Sequence, residues 1–253
     1  MFNVAKSLKR LWAMWFMLIF GSFLIALFPL FWLLLSNESL HLYANKLRRL
    51  WAYWIVTFTG VDYKTELEGV LDKKQQYIFC ANHSSVLDIP FFAILWNDHF
   101  KFMAKIEFSK IPFFGYFFKT IDIPVDRDSK ISAFKAYKKA IEAIDEGYSI
   151  VIFPEGTSER NPPELIEFKN GPFKIALDKQ IPIVPVTFLD NWHLFHWHGD
   201  FTGNPGTSRV IVHSPIETTA LSEKDVERLK QETFNIINNT LIKEYGSKQA
   251  VGR

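Results

Sequence analysis

YIFCANHSSVLDIPFFAILW, Tyr77 to Trp96, sets ANHSSVLD (Ala81–Asp88) between two apolar runs, Tyr77–Cys80 and Ile89–Trp96. A short apolar run rich in aromatic and branched residues, followed by polar residues and a second apolar run, reads as a strand that ends where a helix begins. In α/β proteins such junctions are where ligands and catalytic groups collect. His83 lies in the junction, five residues before Asp88. A neutral imidazole can take a proton from an alcohol, and a carboxylate on its other nitrogen fixes the tautomer and stabilises the imidazolium. H-x4-D alone is a weak signal, because a lone histidine is more often a structural hydrogen-bonder.

The same alternation continues downstream. Strands are expected near Gln76–Cys80, Lys101–Met103, Ile121–Val125, Ser149–Phe153, Ile183–Leu189 and Arg209–His213. Between them, Ile131, Phe134, Tyr137, Ile141 and Ile144 recur at helical spacing, with Ser129 placed to cap the start and Gly147 the end. A second helix is expected from a Ser222 cap to about Tyr245. Strands alternating with helices predict an α/β fold with a mainly parallel sheet covered by helices on both faces.

The N-terminal part is different. Leu11–Leu35 carries no charged residue and is long enough to cross a bilayer core of about 30 Å. It exceeds the h-region of a signal peptide. Lys6, Lys9 and Arg10 precede the run while Lys46, Arg48 and Arg49 follow it, so the positive-inside rule assigns no orientation. Gly21, Ser22 and Pro29 can kink it, and Leu50–Val61 suits an interfacial helix. The expected organisation is an N-terminal helical membrane anchor over residues 1–61, monotopic or single-pass, and an α/β domain over 62–253.

A chain of 253 residues suits one sizeable domain with an appendage. The 29 basic and 27 acidic residues leave a net charge of +2, which does not argue for nucleic acid as a partner. The 25 Phe and 8 Trp suit contact with lipid. One cysteine excludes an intramolecular disulfide and a cysteine metal cage, and suits a reducing cytoplasm. In HLFHWH, His193–His198, no carboxylate or helical spacing completes a metal site, and Trp192, Phe195 and Trp197 suggest an amphipathic loop at the bilayer interface or substrate mouth.

Two further stretches resemble the first junction. In FPEGTSER, Phe153–Arg160, Pro154 and Gly156 demand a turn that holds Glu155 at a strand end, although an ordinary turn with a solvated glutamate reads the same. In IPVDRDS, Ile123–Ser129, Arg127 follows a strand and can pair with a phosphate, or can be one solvated charge of a helix-entry loop.

NHSSVLD, IPVDR, FPEGT and IPIVPVTF are similar in order and spacing to the sequence blocks of the glycerolipid acyltransferases, and in particular resemble the 1-acylglycerol-3-phosphate (lysophosphatidic acid) acyltransferase family. The likeness runs from about residue 65 to 215 and takes in Lys105 of KIEFSKIPFFG and the FKNG segment Phe168–Gly171. The resemblance implies that His83 and Asp88 are catalytic, and that Arg127, Glu155, Gly156 and Thr157 bind substrate, with Lys105 beside them. Members commonly carry an arginine where this chain has Ser158; Arg160, two positions later, is the expected substitute.

The implied reaction moves a fatty acyl group from acyl-CoA or acyl carrier protein, as co-substrate, to the sn-2 hydroxyl of lysophosphatidic acid, with no cofactor and no metal. It takes place at a lipid bilayer, with the cytoplasmic face of the inner (plasma) membrane as the expected location. A thioester is already activated, so base and positioning suffice. Cys80 and Ser84 offer a covalent alternative. Other readings are a different lysolipid acceptor (lyso-ornithine lipid or another lysophospholipid), a non-catalytic lipid-binding protein, and a membrane-tethered thioesterase.

Overall fold

The computed structural model describes residues 4–126, 128–157, 162–196 and 201–246. The charge-free N-terminal run forms α1 (Val4–Leu35), and the chain then turns through Glu38–Leu40 into α2 (His41–Thr59). There follow β1 (Val61–Leu67), β2 (Ile78–Ala81), α3 (Asp88–Leu95), β3 (Phe100–Lys105), a 3-10 turn (Ile106–Lys110), α4 (Gly115–Thr120), β4 (Ile123–Val125) and α5 (Lys130–Asp145). The last part holds β5 (Ser149–Ile152), α6 (Gly171–Lys179), β6 (Ile183–Phe188), α7 (Asn191–Leu194), β7 (Phe195–His196), β8 (Thr202–Gly203), β9 (Gly206–Val212) and α8 (Val226–Tyr245). Seven strands form one sheet in the order β1-β9-β6-β2-β5-β3-β4, and β7 pairs with β8.

By its contacts the chain divides into two compact units. The first comprises the chain up to Glu66, Ser84–Asp98 and Phe188–Val210; the second comprises Leu67–His83, His99–Thr187 and the chain from Ile211 onward.

In the second unit the sheet is parallel: β2 pairs with β5 and β6, and β3 with β4 and β5. Every residue of β2, β5 and β6 is buried, as expected of strands covered on both faces by helices. Phe79 is fully enclosed, which is worth about 1.5–3 kcal/mol for a side chain of its size. The register sets Cys80 and Met103 beside Ile152, so the chain segments leaving β2, β5 and β3 all emerge at the same end of the sheet.

Helix α5 forms where its periodicity predicts. The Ser129 hydroxyl accepts the Ser132 N–H at 3.2 Å as a cap, and Gly147 at φ +91° lets the chain leave. Its buried stripe shares only Ile144 with the row of large apolar residues. Ala136, Ala140, Ala143 and Ile144 face the interior, whereas Ile131 is 71% and Phe134 58% exposed. Small alanines let the helix approach the sheet closely, and that packing overrides the volume of the bulkier side chains. Helix α8 is introduced by the expected Ser222 cap, which closes a capping box with Asp225. HLFHWH departs from the loop expected of it: its described residues belong to the end of α7 and to β7, and His198 lies outside the described residues.

In the first unit α1 and α2 form an antiparallel hairpin. The Trp12 and Trp15 indole N–H groups donate to the carbonyls of Thr59 and Phe58, each at 2.9 Å, and Phe20 packs on Trp51. These bonds satisfy carbonyls at the C-terminal end of α2 that have no partner within the helix. The start of α1 belongs to the interior of this unit. Ala13 and Phe16 are fully buried, the Phe16 ring lies 4.8 Å from that of Phe195, and Trp12 lies against Gly203. Over its 32 residues α1 is long and apolar enough to cross a membrane.

Candidate active site

His83 stands just beyond the C-terminal end of β2 and Glu155 just beyond that of β5, so adjacent parallel strands bring together two residues far apart in the chain. The Glu155 carboxylate is 1% exposed and accepts two backbone N–H groups: that of His83 at 2.9 Å and that of Ile166 at 3.3 Å. A buried carboxylate needs such partners, because each charge-assisted bond offsets part of the cost of leaving water. Gly156 follows at φ +76°, a conformation that suits glycine and turns the chain out of the strand. The His83 imidazole stacks on the Phe153 ring at 4.1 Å between centroids and 22° between planes. Stacking fixes the ring plane and directs both ring nitrogens sideways, away from the Phe153 face.

Asp88 is the first residue of α3, where the helix dipole favours a negative charge. It is fully buried within the first unit. One oxygen accepts the Ser84 and Ser85 N–H groups at 2.8 and 3.0 Å, and the other accepts the Asn191 side-chain amide at 2.7 Å. A carboxylate only accepts, so the amide nitrogen of Asn191 must face Asp88 and its oxygen must face away. That oxygen receives the Ser208 hydroxyl at 2.5 Å. Asn191 and Ser208 are themselves fully buried. The Ser85 hydroxyl donates to the Phe195 carbonyl at 2.8 Å, tying the turn to β7. Ser84 Oγ is buried with no hydrogen-bond partner.

Lys105 closes β3 at the same end of the sheet as His83 and Glu155, exposed and paired with Glu107 at 3.4 Å. Thr157 is half-buried beyond Gly156. Arg127 and Arg160 lie outside the described residues. Cys80 is fully buried in β2, and burial pushes its thiol well above the usual range, which disfavours the thiolate that a nucleophile requires. Among the described residues, no cluster of His, Cys, Asp or Glu is arranged to hold a metal ion.

Reasoning from sequence did not find Asn191 and Ser208. The signal available was an asparagine beside Asp190 at the end of the IPIVPVTF strand, and nothing local distinguishes it from a surface loop residue.

The acyltransferase family profile matches residues 56–189, which takes in His83, Asp88, Lys105, Arg127 and Glu155. An uncharacterized acyltransferase of Schizosaccharomyces pombe is 31% identical over 189 residues, covering 73% of this chain and 67% of that one. A 1-acyl-sn-glycerol-3-phosphate acyltransferase of Borreliella burgdorferi is 34% identical over 176 residues, covering 69% of this chain and 68% of its own length. The chain spans less of a chloroplastic 1-acyl-sn-glycerol-3-phosphate acyltransferase of Brassica napus, 45% of its length at 30% identity. The crystal structure of the lysophosphatidate acyltransferase PlsC from Thermotoga maritima shares the fold, with a TM-score of 0.73 at 23% identity over 96% of this chain and 98% of that one. The chain belongs to the acyltransferase family.

Proposed function

We propose that the chain acylates the sn-2 hydroxyl of 1-acylglycerol 3-phosphate from an acyl thioester, acyl-CoA or acyl-ACP, and releases phosphatidic acid. The observation that carries the reading is the junction after β2, where a histidine with its ring plane fixed on Phe153 is followed five residues on in sequence by a buried, hydrogen-bonded aspartate. The Borreliella and Brassica relatives, named for this reaction, support the substrate.

In the proposed step His83 removes the proton of the acceptor hydroxyl as its oxygen attacks the thioester carbonyl. The tetrahedral intermediate then collapses, the C–S bond breaks, and the thiolate leaves with the proton from the imidazolium. Asp88 orients and stabilises the imidazolium; the support for this pairing is the five-residue spacing in the H-x4-D block. Glu155 acts on the backbone, holding the His83 amide so that the imidazole is presented at a fixed height. Lys105, Arg127, Thr157 and Arg160 supply cationic and hydroxyl partners for the substrate phosphate.

The membrane reading rests on α1. Leu8, Leu11, Trp15, Leu18 and Ile25 repeat at three- to seven-residue intervals along one exposed apolar face, and the turn at its far end, Ser36–Ser39, is polar. An apolar helix of this length, exposed along much of its surface and followed by a polar turn, suits a membrane anchor, monotopic or single-pass. Holding the site at the surface spares the enzyme the extraction of a long acyl chain, which costs about 0.8 kcal/mol per CH2.

The test is transfer of labelled acyl groups to lysophosphatidate by wild type and by His83→Ala. Wild type should form labelled phosphatidic acid, and the variant should lose at least about 100-fold in kcat. Release of free fatty acid without labelled lipid would assign the chain to the thioesterases instead.

A further inference from the structure

We propose that the second unit carries its own bilayer-docking surface, on the end of the sheet that bears His83 and Glu155. Two outcrops make it. The segment leaving β3 exposes Phe108, Ile111 and Phe113, and the first two turns of α5 expose Ile131 and Phe134. Both arise at the same end of the parallel sheet, because β3 and β4 are neighbours in register and each outcrop follows the C-terminal end of its strand. The 3-10 turn and α5 both pack on β4, so the outcrops flank one strand end.

Neither outcrop is explained by the fold's own interior. In α5 the interior is served by the alanine stripe, which leaves the Ile131 and Phe134 face without a structural task. In the other segment Phe113 adopts φ +63°, a backbone conformation that a bulky side chain adopts only under constraint. The turn around it is closed tightly: a Cβ on Gly115 would meet the Ser109 carbonyl oxygen at 2.2 Å, and the Phe114 N–H bonds to the Pro112 carbonyl at 2.7 Å. Phe113 is therefore displayed by a rigid knuckle at the cost of backbone strain.

The charge on this surface selects the occupant. Lys130 and Lys135 lie on the α5 outcrop and Lys138 and Lys139 just beyond it, with Glu142 the first acid along the helix, and Lys138 sits 4.8 Å over the Phe134 ring. The helix has no acidic residue in its first turn and begins with a lysine, which runs against the helix dipole. On the other outcrop Lys110 is exposed, and the acid Glu107 is paired with Lys105; Asp126 and Asp128 precede α5. Exposed apolar side chains interleaved with lysines suit a bilayer surface rich in anionic headgroups, the apolar groups entering the acyl boundary and the lysines remaining with the phosphates. A lysolipid would then reach the His83 end of the sheet with its headgroup already at the right depth. The proposal goes beyond the acyl-transfer reading, and its first readout measures no catalysis.

Cys80 is the only cysteine and is buried, so a nitroxide at Phe113→Cys or Phe134→Cys in the full chain reports one position. Val70, 96% exposed in the segment leading into β2 at the opposite end of the sheet, is the control position. In vesicles of equimolar phosphatidylglycerol and phosphatidylcholine, collision with a water-soluble nickel chelate should be about tenfold lower at 113 and 134 than at 70. Equal accessibility at all three positions overturns the proposal. So does shielding that appears only at high protein-to-lipid ratio, which assigns the surface to a second copy of the chain.

The second arm is the double variant Phe113→Asp with Phe134→Asp. Turnover of long-chain lysophosphatidate in those vesicles should fall about tenfold, while turnover of a monomeric short-chain analogue stays within about twofold. Equal losses on both substrates overturn the proposal. Absence of transfer in wild type would sink the substrate reading and leave the nitroxide result standing.

Discussion

The Asp88–Asn191–Ser208 chain makes a quantitative prediction. Asn191→Ala removes the 2.7 Å charge-assisted bond to Asp88, a loss of about 1.5–3 kcal/mol, and strands the Ser208 hydroxyl in a fully buried site for about 1–3 kcal/mol more. The single variant should lose about 3–5 kcal/mol, a large part of the 5–15 kcal/mol that typically holds a domain together. Ser208→Ala in turn strands the buried Asn191 oxygen and should cost about 1–3 kcal/mol. Once Asn191 is gone, however, Ser208→Ala removes a stranded group, so the two losses must not add. The double variant should be about 1–2 kcal/mol more stable than the sum of the singles. Urea unfolding in micelles, followed by tryptophan fluorescence, measures the cycle. Additivity within about 0.3–0.5 kcal/mol would show that the two residues do not share a network, and the assignment of the Asn191 amide would fall with it.

Glu155→Gln replaces one of two acceptor oxygens by a donor facing a backbone N–H, so it should lower stability by about 1.5–3 kcal/mol and reduce kcat more than it raises KM; a change confined to KM would mean that the carboxylate acts on substrate. Ser84→Ala removes a hydroxyl that has no partner and should leave acyl transfer within about tenfold, whereas a folded, inactive variant would make Ser84 the nucleophile. Cys80 should resist exchange with a chromogenic disulfide at neutral pH in the native chain and react fully in guanidinium; rapid native reaction would contradict its burial and its raised thiol pKa.

The strand order of chemistry was legible because each block sits at the C-terminal end of an apolar run, and ends of parallel strands converge whatever their separation in sequence. His83 and Glu155 are the example: strand assignment alone predicts that both leave the sheet at one end. What stayed hidden depends on packing across the chain. VDYKTEL, which forms β1, is mostly exposed and carries no buried alternation to announce a strand. Asn191 takes its role from a partner more than a hundred residues away. The helix α5 was legible but its covered face was not, because period identifies a helix and not which face packs; Ala136, Ala140, Ala143 and Ile144 face the interior in place of Ile131 and Phe134.

The first turns of α1 have a packing duty besides the proposed attachment. Phe16 and Trp12 roof Phe195, whose carbonyl holds Ser85 in the turn that carries Asp88. Trimming α1 to obtain a soluble enzyme would strip the cover from Phe195 and unseat the two indole bonds to the end of α2. A water-soluble form is better sought by replacing exposed apolar side chains such as Leu18 and Ile25 with polar ones while the helix itself is kept.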